Sequence, residues 1–267
     1  MKLLVIGGGN MGLTYAKGIH NAQLLGEEIM VLEKSEESIN ILKNKEPQFK
    51  GYTSAEQCVP QADIIMIAVK PFHSDDVFKQ IVPFVKNEQL IISVMAGVKI
   101  STIQVGLGLD KVIRSMPNLP AMINKGMTTF TGSEQVSEEE LIIVEKLLSS
   151  TGKAIKVKTE DDIDKTTGLS GSGSAYIFYF MEAMMESAKE MGFSEKEAKA
   201  ITTQTFGGAV DLFSQKEETT SAWINKVCSK GGTTIAAINT FEDKHVKENI
   251  KKGIFAAYNR AVELGNS

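Results

Sequence analysis

Apolar positions follow two different periods along the first 160 residues. Short extended runs predict strands over residues 3–6, 29–32, 51–53, 64–69, 90–94 and 112–116. The segments between them, such as 11–25 and 35–45, carry apolar residues at helical spacing. Strands separated by helices in this way predict a parallel, doubly wound sheet. Two further extended runs, 127–131 and 154–158, flank a helix at 137–149 that opens with the capping box Ser137-Glu138-Glu139-Glu140.

Beyond about Asp162 the pattern becomes helical and no further convincing strand follows. Residues 175–191 are apolar around most of a helix circumference, which predicts burial on several sides. A second capping box, Ser194-Glu195-Lys196-Glu197, opens a helix through about Ser214. Gly207-Gly208 lies inside that helix at a cost in propensity, so a close contact with another helix is expected there. A last helix over 243–264 places Val246, Ile250, Ile254, Ala257, Ala261 and Leu264 on one stripe, suited to core packing or to a subunit interface.

The first predicted strand runs directly into Gly7-Gly8-Gly9-Asn10-Met11-Gly12, a G-x-G-x-x-G turn opening a helix. Gly7 permits the tight turn, Gly9 lets the backbone approach a pyrophosphate, and Gly12 lets the helix pack close to the strand. The unpaired N–H groups of the helix start, at Asn10 and Met11, then face phosphate. A nicotinamide dinucleotide, NADPH or NADH, is the expected cofactor, and the fold is expected to be Rossmann-like. An acidic residue at the end of the second strand completes such a site by accepting the adenosine ribose hydroxyls, and Glu33 stands there. Its carboxylate repels a 2′-phosphate and favours NADH, whereas Lys34 and Ser35 suit that phosphate and keep NADPH open. Ligands of doubly wound sheets lie outside the carboxyl ends of the strands. Ala68-Val69-Lys70-Pro71 and Ala96-Gly97 are therefore expected along the ribose and nicotinamide path, where small Ala96 and Gly97 admit a flat ring.

Composition narrows the alternatives. The 267 residues carry a formal net charge of −4 and 42% hydrophobic residues, enough for two domains or one large one with a core of ordinary size. The acidic balance gives no footing for nucleic acid, and no apolar run reaches membrane-spanning length. The chain begins in a core strand, so no signal peptide is expected. Cys58 and Cys228 are the only cysteines and fit reduced thiols in a cytoplasmic protein. His20, His73 and His245 are scattered and make no metal site.

Three segments carry the substrate chemistry: Arg114-Ser115-Met116-Pro117-Asn118-Leu119-Pro120, Ser170-Gly171-Ser172-Gly173-Ser174-Ala175-Tyr176, and Val227-Cys228-Ser229-Lys230-Gly231-Gly232-Thr233-Thr234. The last reads as a loop entering a helix N-terminus, with unpaired N–H donors beside three hydroxyls, which suits a small carboxylate. Together with the glycine turn, Ala68-Val69-Lys70-Pro71, Ala96-Gly97-Val98 and the closing 257–264 segment, this order resembles the pyrroline-5-carboxylate reductase family nearly end to end.

The resemblance implies a Rossmann domain at 1–160 and a helical substrate-binding domain at 161–267 that builds a homodimer or higher homo-oligomer. It implies reduction of a cyclic imino acid, 1-pyrroline-5-carboxylate, to L-proline. The substrate carboxylate would sit on Ser229 and the backbone of Gly231, Gly232 and Thr233, with the Thr234 hydroxyl as the catalytic group near the ring nitrogen. Met116, Pro117 and Asn118 would border the nicotinamide, and Glu217 matches an acidic position near the substrate loop. The family usually has Pro where this chain has Ser174, Thr220 and Lys230, and an Asn-Arg-Ser type of phosphate grip in place of Glu33-Lys34-Ser35. Two other readings are a β-hydroxyacid dehydrogenase, for which Lys165 would be the base, and a non-catalytic dinucleotide-binding regulator.

Overall fold

The computed structural model describes residues 1–26 and 28–265. They form two compact units, one of residues 1–174 together with the chain from Ala256 onward, the other Ala175–Phe255.

The first unit is built on eight strands: β1 (Leu3–Ile6), β2 (Met30–Leu32), β3 (Lys50–Tyr52), β4 (Ile64–Ile67), β5 (Leu90–Ser93), β6 (Val112–Met116), β7 (Gly126–Gly132) and β8 (Gly152–Lys156). They form one sheet in the order β3-β2-β1-β4-β5-β6-β7-β8. All neighbours are parallel except β6 and β7. The strand order reverses between β1 and β4, which opens a crevice at their carboxyl ends. Helices α1 (Asn10–Asn21), α2 (Glu36–Lys45), α3 (Ala55–Cys58), α4 (Ser74–Ile81), α5 (Ile100–Leu107), α6 (Glu138–Ser149) and α7 (Glu160–Thr166) complete it, with the last part of a C-terminal helix.

The two-residue period of a strand explains the layering. Leu3 and Val5 join Tyr15, Ile19, Leu141 and Leu148 in the core under α1 and α6. Leu4 and Ile6 point the other way, into a core with Cys58, Phe78, Ile81 and Ile103 under α3, α4 and α5. Each such fully buried side chain is worth about 1.5–3 kcal/mol. Tyr15 also shares a 2.7 Å hydrogen bond with Thr128 of β7, and burial pushes its phenol up to about 12.

The second unit is helical: most of α8 (Gly173–Glu190), then α9 (Glu195–Gln215), α10 (Thr220–Val227), α11 (Thr233–Asp243) and the first half of α12 (Val246–Leu264). Three sequence expectations change here. The helix expected at 243–264 is α12, which starts three residues later at Val246, because His245 takes φ +53 and separates it from α11. No residue of α8 is buried within the chain, and Ile177, Phe178 and Tyr179 are 50%, 55% and 75% exposed. Its apolar circumference therefore faces outward rather than into a core. Likewise, a side chain built on Gly207 or Gly208 would meet nothing within the chain. Among the described residues no helix is long and apolar enough to cross a membrane.

Candidate functional site

The turn after β1 is set by its glycines one at a time. Gly7 sits at φ +94, and a Cβ there would come within 3.0 Å of the Ala68 carbonyl oxygen and of Val69. A Cβ on Gly12 would collide with the Gly7 carbonyl oxygen and come within 3.0 Å of Val5, so α1 approaches β1 only because that position lacks one. Gly9, the N-cap of α1, has an ordinary φ of −72 and nothing within 4 Å of where its Cβ would be. No side chain caps this helix. Asn10 and Met11, in its first turn, leave their N–H groups unpaired within the helix, as an anion site needs.

At the end of β2, Glu33 reaches back to this turn. Its Oε1 accepts the Gly8 N–H at 2.6 Å. Lys34 is exposed, and Ser35 is the N-cap of α2, its hydroxyl accepting the Ser38 N–H. Ala68 and Val69 follow β4 directly, the Ala68 N–H donating to Ile6, and Lys70 leads into a short 3-10 turn that begins at Pro71. Ala96 and Gly97 form the turn after β5. Gly97 has φ +75, and the space beside it, expected to admit a ring, is filled by Leu264 of α12, 2.9 Å from where a Cβ would be.

Met116 ends β6, Pro117 is buried, and Asn118 is tied on both sides. Its Oδ1 accepts the Met127 N–H at 2.9 Å, and its amide points to the Ser170 hydroxyl at 3.3 Å. Ser170 lies in a π-helical turn, Thr167–Gly171, between α7 and α8, and Gly171 lies under the tip of Met116. That turn is held by groups the sequence reading passed over. Buried Arg114 donates to Asp164 at 2.5 Å and to Glu160 at 3.1 Å, joining β6 to α7. Tyr258 of α12 donates its hydroxyl to Asp161 at 2.8 Å, and its backbone packs on Gly168. Lys165 is bound by Asp161 and Asp162 at 2.7 and 3.0 Å, which hold its ammonium well above the usual lysine range.

In the second unit the loop before α11 is a β-turn closed by a 3.0 Å bond from the Gly232 N–H to the Ser229 carbonyl. Gly231, at φ +73, occupies the turn position that requires a positive φ, as in type II geometry. Gly232 is the N-cap of α11 and offers no capping side chain, so the Thr233 and Thr234 N–H groups stay unpaired within the helix. A Cβ on Gly232 would run into the Ser229 hydroxyl. Ser229, Gly231, Gly232, Thr233 and the half-buried Thr234 are thus brought to one uncapped helix start. Glu217 is exposed in the link between α9 and α10. Among the described residues no His, Cys, Asp and Glu group could hold a metal.

Residues 160–264 match a family model described as pyrroline-5-carboxylate reductase dimerisation, and 2–97 match one described as NADP oxidoreductase, coenzyme F420-dependent. The chain is 33% identical to the pyrroline-5-carboxylate reductase of Escherichia coli (strain K12) over 270 residues, covering 100% of this chain and 99% of that one. The chain belongs to the pyrroline-5-carboxylate reductase family. The reductase of Coxiella burnetii has the same fold at a TM-score of 0.89, 31% identity and 99% and 98% coverage. That of Plasmodium falciparum, solved with NADP bound, gives 0.89 at 26% identity and 99% and 98% coverage.

Lys230 is the second residue of the Ser229–Gly232 turn, a position where a proline would preset φ. The turn forms here without it, because Gly231 supplies the demanding conformation. The Arg114–Asp164–Glu160 group carried one signal in the sequence, an arginine directly after apolar Val112 and Ile113 in a strand. A buried arginine needs a carboxylate partner, but the sequence does not say which.

Proposed function

We propose that the chain reduces 1-pyrroline-5-carboxylate to L-proline with NADH or NADPH, the last step of proline synthesis. The carrying observation is the uncapped start of α11, where the Ser229–Gly232 turn leaves helix N–H groups and a hydroxyl together for a small carboxylate. In this reading residues 1–160 hold the coenzyme and 161–267 bind substrate and build a homodimer or higher homo-oligomer. The outward apolar face of α8 and the dimerisation match support that assembly. Two free thiols and a chain without a membrane-spanning helix, among the described residues, fit the cytoplasm. The acidic balance fits a small-molecule partner rather than nucleic acid.

The bound coenzyme supplies a hydride, delivered to the C=N carbon of the substrate. Gly7, Gly9, Asn10, Met11 and Gly12 would hold the pyrophosphate, and Glu33, Lys34 and Ser35 the adenosine ribose. Ala68, Val69, Lys70, Pro71, Ala96 and Gly97 would line the path toward the nicotinamide, and Met116, Pro117 and Asn118 would border its ring. Ser229, Gly231, Gly232 and Thr233 hold the substrate carboxylate, and Glu217 stands beside that loop. A protonated imine is already electrophilic, so no strong general acid is needed. Thr234 orients the imine N–H, and the protein's contribution is placement.

The test is turnover of purified protein with pyrroline-5-carboxylate and reduced coenzyme, with proline quantified. Coenzyme oxidation matched by proline supports the reading. Coenzyme binding without turnover would sink it and favour a regulatory descendant.

A further inference from the structure

We infer that Glu33 makes this chain selective for the dinucleotide without a 2′-phosphate, binding NADH in preference to NADPH. The inference rests on the dinucleotide reading of the glycine turn and adds what distinguishes the two coenzymes there.

Three observations converge on the β2–α2 corner. First, the Glu33 carboxylate is fixed. Its backbone N–H donates to Tyr52 at the end of β3 at 2.9 Å, and its Oε1 accepts the Gly8 N–H at 2.6 Å. A Cβ on Gly8 would stand 2.7 Å from Oε1, so the glycine admits the carboxylate against the turn. An ionised carboxylate has about four acceptor sites. The Gly8 N–H takes one and a longer contact from the Lys34 N–H, at 3.3 Å, takes another. The remaining acceptor capacity suits the hydroxyls of a ribose. A 2′-phosphate offers only acceptor oxygens and negative charge to the same group.

Second, Ser35 is already engaged. Its hydroxyl accepts the Ser38 N–H at 3.2 Å and shares a 3.0 Å bond with the Ser38 hydroxyl, the work of a helix cap. Third, the local charge is acidic. Glu36 and Glu37 occupy the first turn of α2, and Glu36 is held in place by the Thr53 hydroxyl at 2.9 Å. The cations at hand are exposed Lys34 and, beside the small cleft that Glu33 shares with Gly8, Leu13 and Ser38, Lys45. Of the acidic groups at this corner, Glu33 is the one bonded to the glycine turn itself.

Calorimetric titration of the purified chain with NADH and NADPH separately, at matched ionic strength, tests this. The expected result is an NADH Kd about tenfold or more below that for NADPH, a difference of ~1.4 kcal/mol. Glu33→Gln, which removes the charge and keeps the shape, is expected to tighten NADPH binding at least several-fold. Glu33→Ser is expected to act in the same direction. NADPH binding as tight as NADH in the unaltered chain overturns the inference while leaving the dinucleotide reading intact. So does an unchanged ratio in both variants. Binding of neither dinucleotide would overturn the dinucleotide reading itself, and the inference with it.

Discussion

Thr234 is the second residue of α11, half-buried, with its hydroxyl at a helix start that no side chain caps. If its role is to orient the imine N–H, removing that hydroxyl leaves coenzyme binding intact and weakens only the transition state. Thr234→Ala is therefore expected to lower kcat/KM by about ten- to a hundredfold, ~1.4–2.7 kcal/mol of transition-state stabilisation. Steady-state kinetics checks it, and unaltered kcat/KM would remove Thr234 from the mechanism. At this scale much of the candidate site was legible, because single residues carry single causes. Gly7 must take φ +94 and Gly12 must lack a Cβ. Gly97 also faces Leu264, more than 160 residues away in the chain, a neighbour that no local pattern marks.

Between elements, the link that organises the first unit is ionic. Arg114 on β6 is 1% exposed and bridges to Asp164 and Glu160 of α7, and the π-helical turn that carries Ser170 follows directly. Removing one member of a buried pair strands the other's charge. Arg114→Met is expected to cost about 3–5 kcal/mol in denaturant unfolding, by leaving Asp164 buried and unpaired. A loss below about 1 kcal/mol would show that the pair is not what fastens α7 to the sheet. Strands were legible from period alone, and residues 3–6 and 112–116 fold as read. The ion pair was not, because its partners lie 46 and 50 residues beyond Arg114 and nothing local marks them. The last helix was legible apart from its first turn, since it starts at Val246, where the positive φ of His245 separates it from α11.

For the whole molecule, the two units divide the work in the proposed reaction. A mostly parallel sheet with its order reversed at β1 and β4 presents a glycine turn and strand ends, all in the first unit. The helical unit contributes the Ser229–Thr234 turn and an apolar α8 that its own chain leaves uncovered. The burial expected of α8 is not supplied within the chain, because periodicity reports an apolar surface without reporting whether its cover comes from the same chain. The central claim is that the chain passes a hydride from reduced coenzyme to the imine carbon of pyrroline-5-carboxylate. Incubating the chain with pyrroline-5-carboxylate and coenzyme deuterated at the transferring position of nicotinamide C4, then locating the label by mass spectrometry and NMR, tests it most directly. The account predicts proline with one deuterium, bonded to the former imine carbon. Proline formed without deuterium at that carbon, or no proline at all from chain that binds the coenzyme, would contradict it.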